Sequence, residues 1–168
     1  MYQLELKYIE YAENLTPAER HRLEHDVAYG LLQAMLKEHL GIISPTILKT
    51  ESGKPYIVNE NVHFSISHTD GLAVCVIADS PVGVDAEKIM TKSKEETEKF
   101  AKRFFVENEI SFLEKEGFCP KEFFKIWTGK EATIKKHGKT MSDIKKFDVT
   151  KENLIVLEEN GYIISINI

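Results

Sequence analysis

Residues 81–89 read PVGVDAEKI, and the fold is read outward from them. Val82, Val84 and Ala86 alternate with Gly83, Asp85 and Glu87, the period of an extended strand, so the apolar set faces a core and both carboxylates project from the opposite face. Acids that close repel unless a cation or a proton stands between them, and Mg²⁺ prefers one or two protein carboxylates completed by water and substrate phosphates. A D-x-E pattern by itself also arises from solvated acids at a strand end, so a second motif has to support the metal reading. Residues 126–139, IWTGKEATIKKHGK, supply it. Between Phe123 and Lys136 there is no Pro and only one Gly, Gly129, and at helical spacing Phe124, Trp127, Glu131 and Ile134 share one stripe. An acid on an apolar face needs compensation. Either Lys135, one turn on, pairs with it, or Glu131 joins Asp85 and Glu87 around a magnesium ion that holds a polyphosphate.

Working outward, Thr16-Pro17 opens a helix that carries Leu23, Val27, Leu31, Ala34, Met35 and Leu40 at helical spacing to Gly41. Short strands are expected at 46–50, 55–58, 63–66, 72–78 and 82–87, charged helices with core aromatics at 92–116, and strands at 147–149, 153–158 and 162–167, with Asn160-Gly161 a hairpin turn. A helix followed by strands, then helices followed by strands, predicts an α+β fold with two similar halves.

At 168 residues and 19.2 kDa the chain is one compact unit or two small, tightly apposed subdomains. No apolar run approaches the length of a membrane span, and MYQLELKYIE lacks the basic start and apolar core of a secretory signal. Cys75 and Cys119 form neither a disulfide framework nor a metal spacing, so a cytoplasmic, reduced protein is expected. The net charge of −5 argues against general nucleic-acid binding. Between Lys121 and Lys146, however, eight lysines face three acids, a local balance of +5 that suits an anionic cofactor and an acidic protein partner.

Five ordered blocks, SGKPYI (52–57), FSISHTDGLAVCVI (64–77), GVDAEKI (83–89), RFFVENE (103–109) and WTGKEATIKKHGK (127–139), resemble the 4'-phosphopantetheinyl transferases, in their longer, monomeric, surfactin-synthetase-activating type. That resemblance implies two α+β subdomains, 1–84 and 85–168, related by a pseudo-twofold with the active site in the cleft between them. It implies Mg²⁺-dependent transfer of the phosphopantetheine arm of coenzyme A to a serine of an acidic acyl or peptidyl carrier protein in fatty-acid or secondary metabolism, with release of adenosine 3',5'-bisphosphate. Asp85, Glu87 and Glu131 match the metal ligands. Lys135 matches a lysine that contacts the pyrophosphate, and Glu109 a carboxylate that activates the acceptor serine or binds the metal water. Ser67, His68 and Lys54 match cofactor-phosphate contacts. Asp26 stands where the family carries an arginine on its first helix, and the chain stops at Ile168 where longer relatives continue. A magnesium-dependent nucleotide pyrophosphohydrolase would use the same acids, and a non-catalytic relative would hold coenzyme A or a carrier without turnover.

Overall fold

Thr16 and Glu19 cap each other at the start of α1 (Pro17–Leu40), Pro17 supplies a first-turn φ, and Gly41, at φ 69°, ends the helix. A cap of this kind contributes about 1 kcal/mol. In this computed structural model, which describes residues 1–168, an antiparallel sheet has the order β1 (Tyr2–Tyr8), β5 (Leu72–Ala78), β4 (His63–Thr69). The two-stranded β2 (Ile47–Lys49) and β3 (Pro55–Ile57) stand apart. A second antiparallel sheet has the order β6 (Gly83–Lys88), β8 (Tyr162–Asn167), β7 (Leu154–Glu159). Helices α2 (Lys94–Phe104), α3 (Glu107–Lys115) and α4 (Pro120–His137) lie between β6 and β7 in sequence.

Alternation along the strands builds the layers. Leu72, Val74, Val76 and Ala78 of β5 meet Val84 and Ala86 of β6 and Tyr162, Ile164 and Ile166 of β8 in one buried cluster between the sheets. The other face of β5, Cys75 and Ile77, packs with Leu32, Met35 and Leu36 of α1. On the far side, Ile163 of β8 joins the aromatic cluster of α2, α3 and α4, which includes Phe105, Phe123 and Phe124. The order through the molecule is helix, sheet, sheet, helices.

Two contacts bring α4 and β4 against β6. Gly83 lets α4 lie directly on β6: a Cβ there would stand 1.9 Å from the Ala132 carbonyl oxygen and 2.5 Å from the Lys136 nitrogen. Alongside, β6 meets β4 without a backbone ladder. Ser65 Oγ accepts from Val84 N at 3.0 Å and Ser67 Oγ from Ala86 N at 3.3 Å, so the two strands run in the same direction, joined by side-chain hydroxyls.

Several expectations are corrected. β1 is a strand that the sequence reading does not include, although Leu4 and Leu6 alternate with Gln3, Glu5 and Lys7. β4 continues to Thr69, past the expected end at 66, and so includes Ser67 and His68. Residues 147–149 are no strand, because the Asp148 side chain accepts from Thr150 N and starts a short 3-10 turn. The face of β6 opposite its apolar residues is covered by α4, leaving Asp85 4% exposed. The expected border at 84/85 falls inside β6, which pairs with β8 from Gly83 to Lys88. No helix is long and apolar enough to cross a membrane.

Candidate active site

A cavity of about 460 Å³ opens between α1 and β4 on one side and β6 and α4 on the other. Its walls bring together Lys54, Ser67, His68, Asp85, Glu87, Glu131 and Lys135. Acids gather at one end, and Lys49, Lys54 and Lys139 line the same space. The Gly83 approach sets Glu131 and Lys135 of α4 against the carboxylates of β6.

Asp85 is the centre of the acidic end. Its Oδ1 accepts from Ser67 Oγ at 2.8 Å and from Lys135 Nζ at 2.7 Å. Lys135 also reaches Ser67 Oγ at 3.1 Å and the Ile66 carbonyl at 3.4 Å. The one-turn pair of Glu131 with Lys135 that the helix spacing allows is thus replaced by a pair across the cavity. Glu87 accepts from Trp127 Nε1 at 3.4 Å and Thr69 Oγ1 at 3.2 Å. Burial, and then the Asp85 charge, hold the Glu87 carboxyl above its ordinary value. The same two causes push Glu131 up to about 7 against the opposing pull of Lys135.

These residues fit a magnesium ion. All three offer carboxylate oxygens, the donor that Mg²⁺ takes. Two of them are short of compensating positive charge, and Asp85 Oδ2 is buried with no hydrogen-bond partner, a group whose isolation costs about 1–3 kcal/mol. Their oxygens do not converge as closely as those of another trio: the residues whose ligand atoms all lie within 4.8 Å of one another are Glu5, Glu38 and His39, on β1 and at the C-terminal end of α1.

Elsewhere on the wall, Lys54 Nζ donates to the Lys136 carbonyl at 2.7 Å and the Val82 carbonyl at 3.4 Å, tying the β2–β3 loop to α4. Burial and neighbouring Lys136 lower its pKa. His68 Nδ1 faces Glu24 Oε2 at 3.3 Å, and burial lowers the pKa of the imidazole.

Glu109 is not part of this arrangement. It is fully buried, its oxygens 2.8 and 2.7 Å from Lys130 Nζ, and it also accepts from Val106 N and Val149 N, each at 2.9 Å. Lys130 in turn donates to the Phe147 carbonyl at 2.7 Å. Both oxygens of Glu109 are engaged in clamping α3, α4 and the 147–149 segment, which leaves none for an incoming hydroxyl. Asp26 likewise lies off the cavity wall, its side chain 70% exposed; His25 and Tyr29 supply the α1 lining.

Sequence reasoning missed the support behind His68. Glu24 accepts from the Tyr11 hydroxyl, which itself accepts from Gly71 N at 2.6 Å. A signal for it exists: Glu24, Ala28, Leu32 and Met35 share the buried stripe of α1, and a carboxylate on such a stripe needs partners.

Comparison with known proteins bears on the same residues. Residues 81–162 match the family described as the 4'-phosphopantetheinyl transferase superfamily. The chain is 41% identical over 115 residues to 4'-phosphopantetheinyl transferase gsp of Aneurinibacillus migulanus, covering 66% of this chain and 46% of that one. It is 37% identical over 95 residues to 4'-phosphopantetheinyl transferase Sfp of Bacillus subtilis (strain 168), covering 55% and 41%. With 4'-phosphopantetheinyl transferase HetI of Nostoc sp. it shares 29% over 139 residues, covering 77% and 57%. The chain thus spans about half the length of the curated relatives it matches.

Proposed function

From the premise that this chain belongs to the 4'-phosphopantetheinyl transferase superfamily through residues 81–162, we propose that it is an enzyme that moves the 4'-phosphopantetheine arm of coenzyme A onto a serine of an acyl or peptidyl carrier protein, releasing adenosine 3',5'-bisphosphate. The observation that carries this reading is one cavity lined by three carboxylates, Asp85, Glu87 and Glu131, and by four lysines, Lys49, Lys54, Lys135 and Lys139, a mixed charge pattern that a metal-bound pyrophosphate complements.

Asp85, Glu87 and Glu131 would hold Mg²⁺, which when bound neutralises pyrophosphate charge and favours departure of the leaving phosphate. Lys135 is held by Asp85, Ser67 and the Ile66 carbonyl, so its ammonium is positioned before substrate arrives and costs little reorganisation when it meets a phosphoryl oxygen. His68, oriented by Glu24, and Lys54, anchored on Lys136, would contact the remaining phosphates. Ser67 serves mainly to fix Asp85 and Lys135. Phosphoryl transfer asks for positioning and charge rather than covalent work, which suits this set.

The carrier is expected to be acidic and to approach the lysine-rich α4 side. Lys136 is no free docking residue, since it donates to Asn167 Oδ1 at 2.9 Å and the Ile168 carbonyl at 2.7 Å. The arrangement as two subdomains in a monomer belongs to the same proposal, with the border moved from 84/85 to just before Gly83.

The test is incubation of the protein with coenzyme A, Mg²⁺ and an apo carrier, weighing the carrier by intact mass spectrometry and following nucleotide release. Carrier gain of one phosphopantetheine, reduced at least about a hundredfold by Asp85→Asn, is expected. An unmodified carrier, or coenzyme A hydrolysed as fast without carrier as with it, would sink the reading.

A further inference from the structure

His21 and His25 stand one turn apart on α1, a spacing that puts both side chains on one face. His68 of β4 meets them there. The His21 and His68 ring centres are 5.0 Å apart at 77°, and those of His25 and His68 are 6.0 Å apart at 83°. Two imidazoles on one ion, with metal–nitrogen bonds of about 2.0–2.1 Å, place their ring centres about 5 Å apart. The first pair already has that separation. The second needs about 1 Å of closure, which the half-exposed His25 side chain would have to make by rotating.

The support behind His68 points the same way. Its Nδ1 faces Glu24 Oε2 at 3.3 Å, and Glu24, 7% exposed, also takes the Tyr11 hydroxyl. With Nδ1–H given to the carboxylate, Nε2 keeps its lone pair, the arrangement by which a buried carboxylate orients a metal-binding imidazole and raises its basicity. We propose that His21, His25 and His68 form a binding site for a Zn²⁺-class ion, with a fourth position left to water and Glu24 orienting His68.

Imidazole ligands select such ions, whereas the carboxylates of the cavity suit magnesium, so the two sites do not compete for one metal. The surface trio of Glu5, Glu38 and His39 is already gathered, but it offers one imidazole, and that ring's Nε2 lies at hydrogen-bond distance, 3.2 Å, from Glu5 Oε1. Because His25 and His68 also line the cavity, a bound ion would withdraw them from substrate phosphates. That consequence rests on the function proposed above, while the site itself does not.

The experiment uses tag-free protein and Co²⁺ as probe, read by its visible ligand-field bands. The expected result is one equivalent bound, displaced by Zn²⁺ and untouched by excess Mg²⁺. His21→Ala is expected to weaken binding at least about tenfold. His21 is exposed and does not line the cavity, so the variant should keep its fold by circular dichroism and its carrier modification. His39→Ala should bind as the parent does. Absence of bands in the parent protein, bands that persist in His21→Ala, or bands lost in His39→Ala would each overturn the proposal, the last by moving the ion to the surface trio.

Discussion

Glu131 is held near 7 by burial and by the charge of Asp85, so its ionisation works against the fold until a cation joins it. The sign follows from linkage: a carboxyl whose folded pKa exceeds its ordinary 4.5 adds stability below that value and loses it as pH climbs to about 7. In chelator, the melting temperature is expected to fall over that interval, and Glu131→Gln, which has no proton to lose, should remove much of the slope. A parent and variant with parallel pH profiles would contradict it. Glu109 makes the opposite case. Deleting either partner of its buried pair with Lys130 leaves an uncompensated charge, so Glu109→Ala is expected to lower stability by about 3–5 kcal/mol, measured by urea unfolding. A base at that position would instead give a stable protein that does not turn over. The sequence could name both acids but not sort them. Lys130 and Glu131 are neighbours on one helix, and only the packing of α3 beneath α4 decides that the first turns inward and the second toward the cavity.

At the scale of elements, the contact of α4 with β6 sets the distance between Glu131 and Asp85. Gly83→Ala puts a methyl group into the Ala132 carbonyl, and neither backbone can give way cheaply. The expected loss is about 3 kcal/mol or more, together with most of any Mg²⁺-dependent carrier modification, because displacing α4 moves Glu131 and Lys135 as one body. Thermal melting and the carrier assay on the same variant check both parts. Gly129→Ala should be milder, since the added Cβ meets the end of Leu154, a flexible side chain, at 2.7 Å. Elements with local signals were legible: the Thr16 cap and Gly41 stop of α1, the Asn160-Gly161 turn with φ of 50° and 82°, and the motif helix. Those decided by tertiary context were not. β1 is an edge strand with no fully buried side chain, and the 147–149 segment has strand-like residues but obeys the Asp148 side chain.

Across the whole molecule, the order of α and β blocks disclosed the fold class, and four of the five spaced motifs disclosed the cavity, the block at 103–109 lying outside it. What the sequence could not disclose was the seam between β4 and β6, because nothing in a run of alternating serines says that they replace a peptide ladder. Ser65 and Ser67 hold Val84 and Ala86 there, while β5 is paired on both sides. Amide hydrogen exchange is expected to be faster at Val84 and Ala86 than along the centre of β5, and faster still at Val84 in Ser65→Ala; equal protection in the parent would show the seam to be as firm as a ladder. A boundary stitched by two hydroxyls leaves the halves of the cavity a looser fabric than either sheet. A ligand reaching from His68 on one side to Glu131 on the other would then act as the missing seam thread, returning part of its binding energy as mechanical tightening of the protein around it.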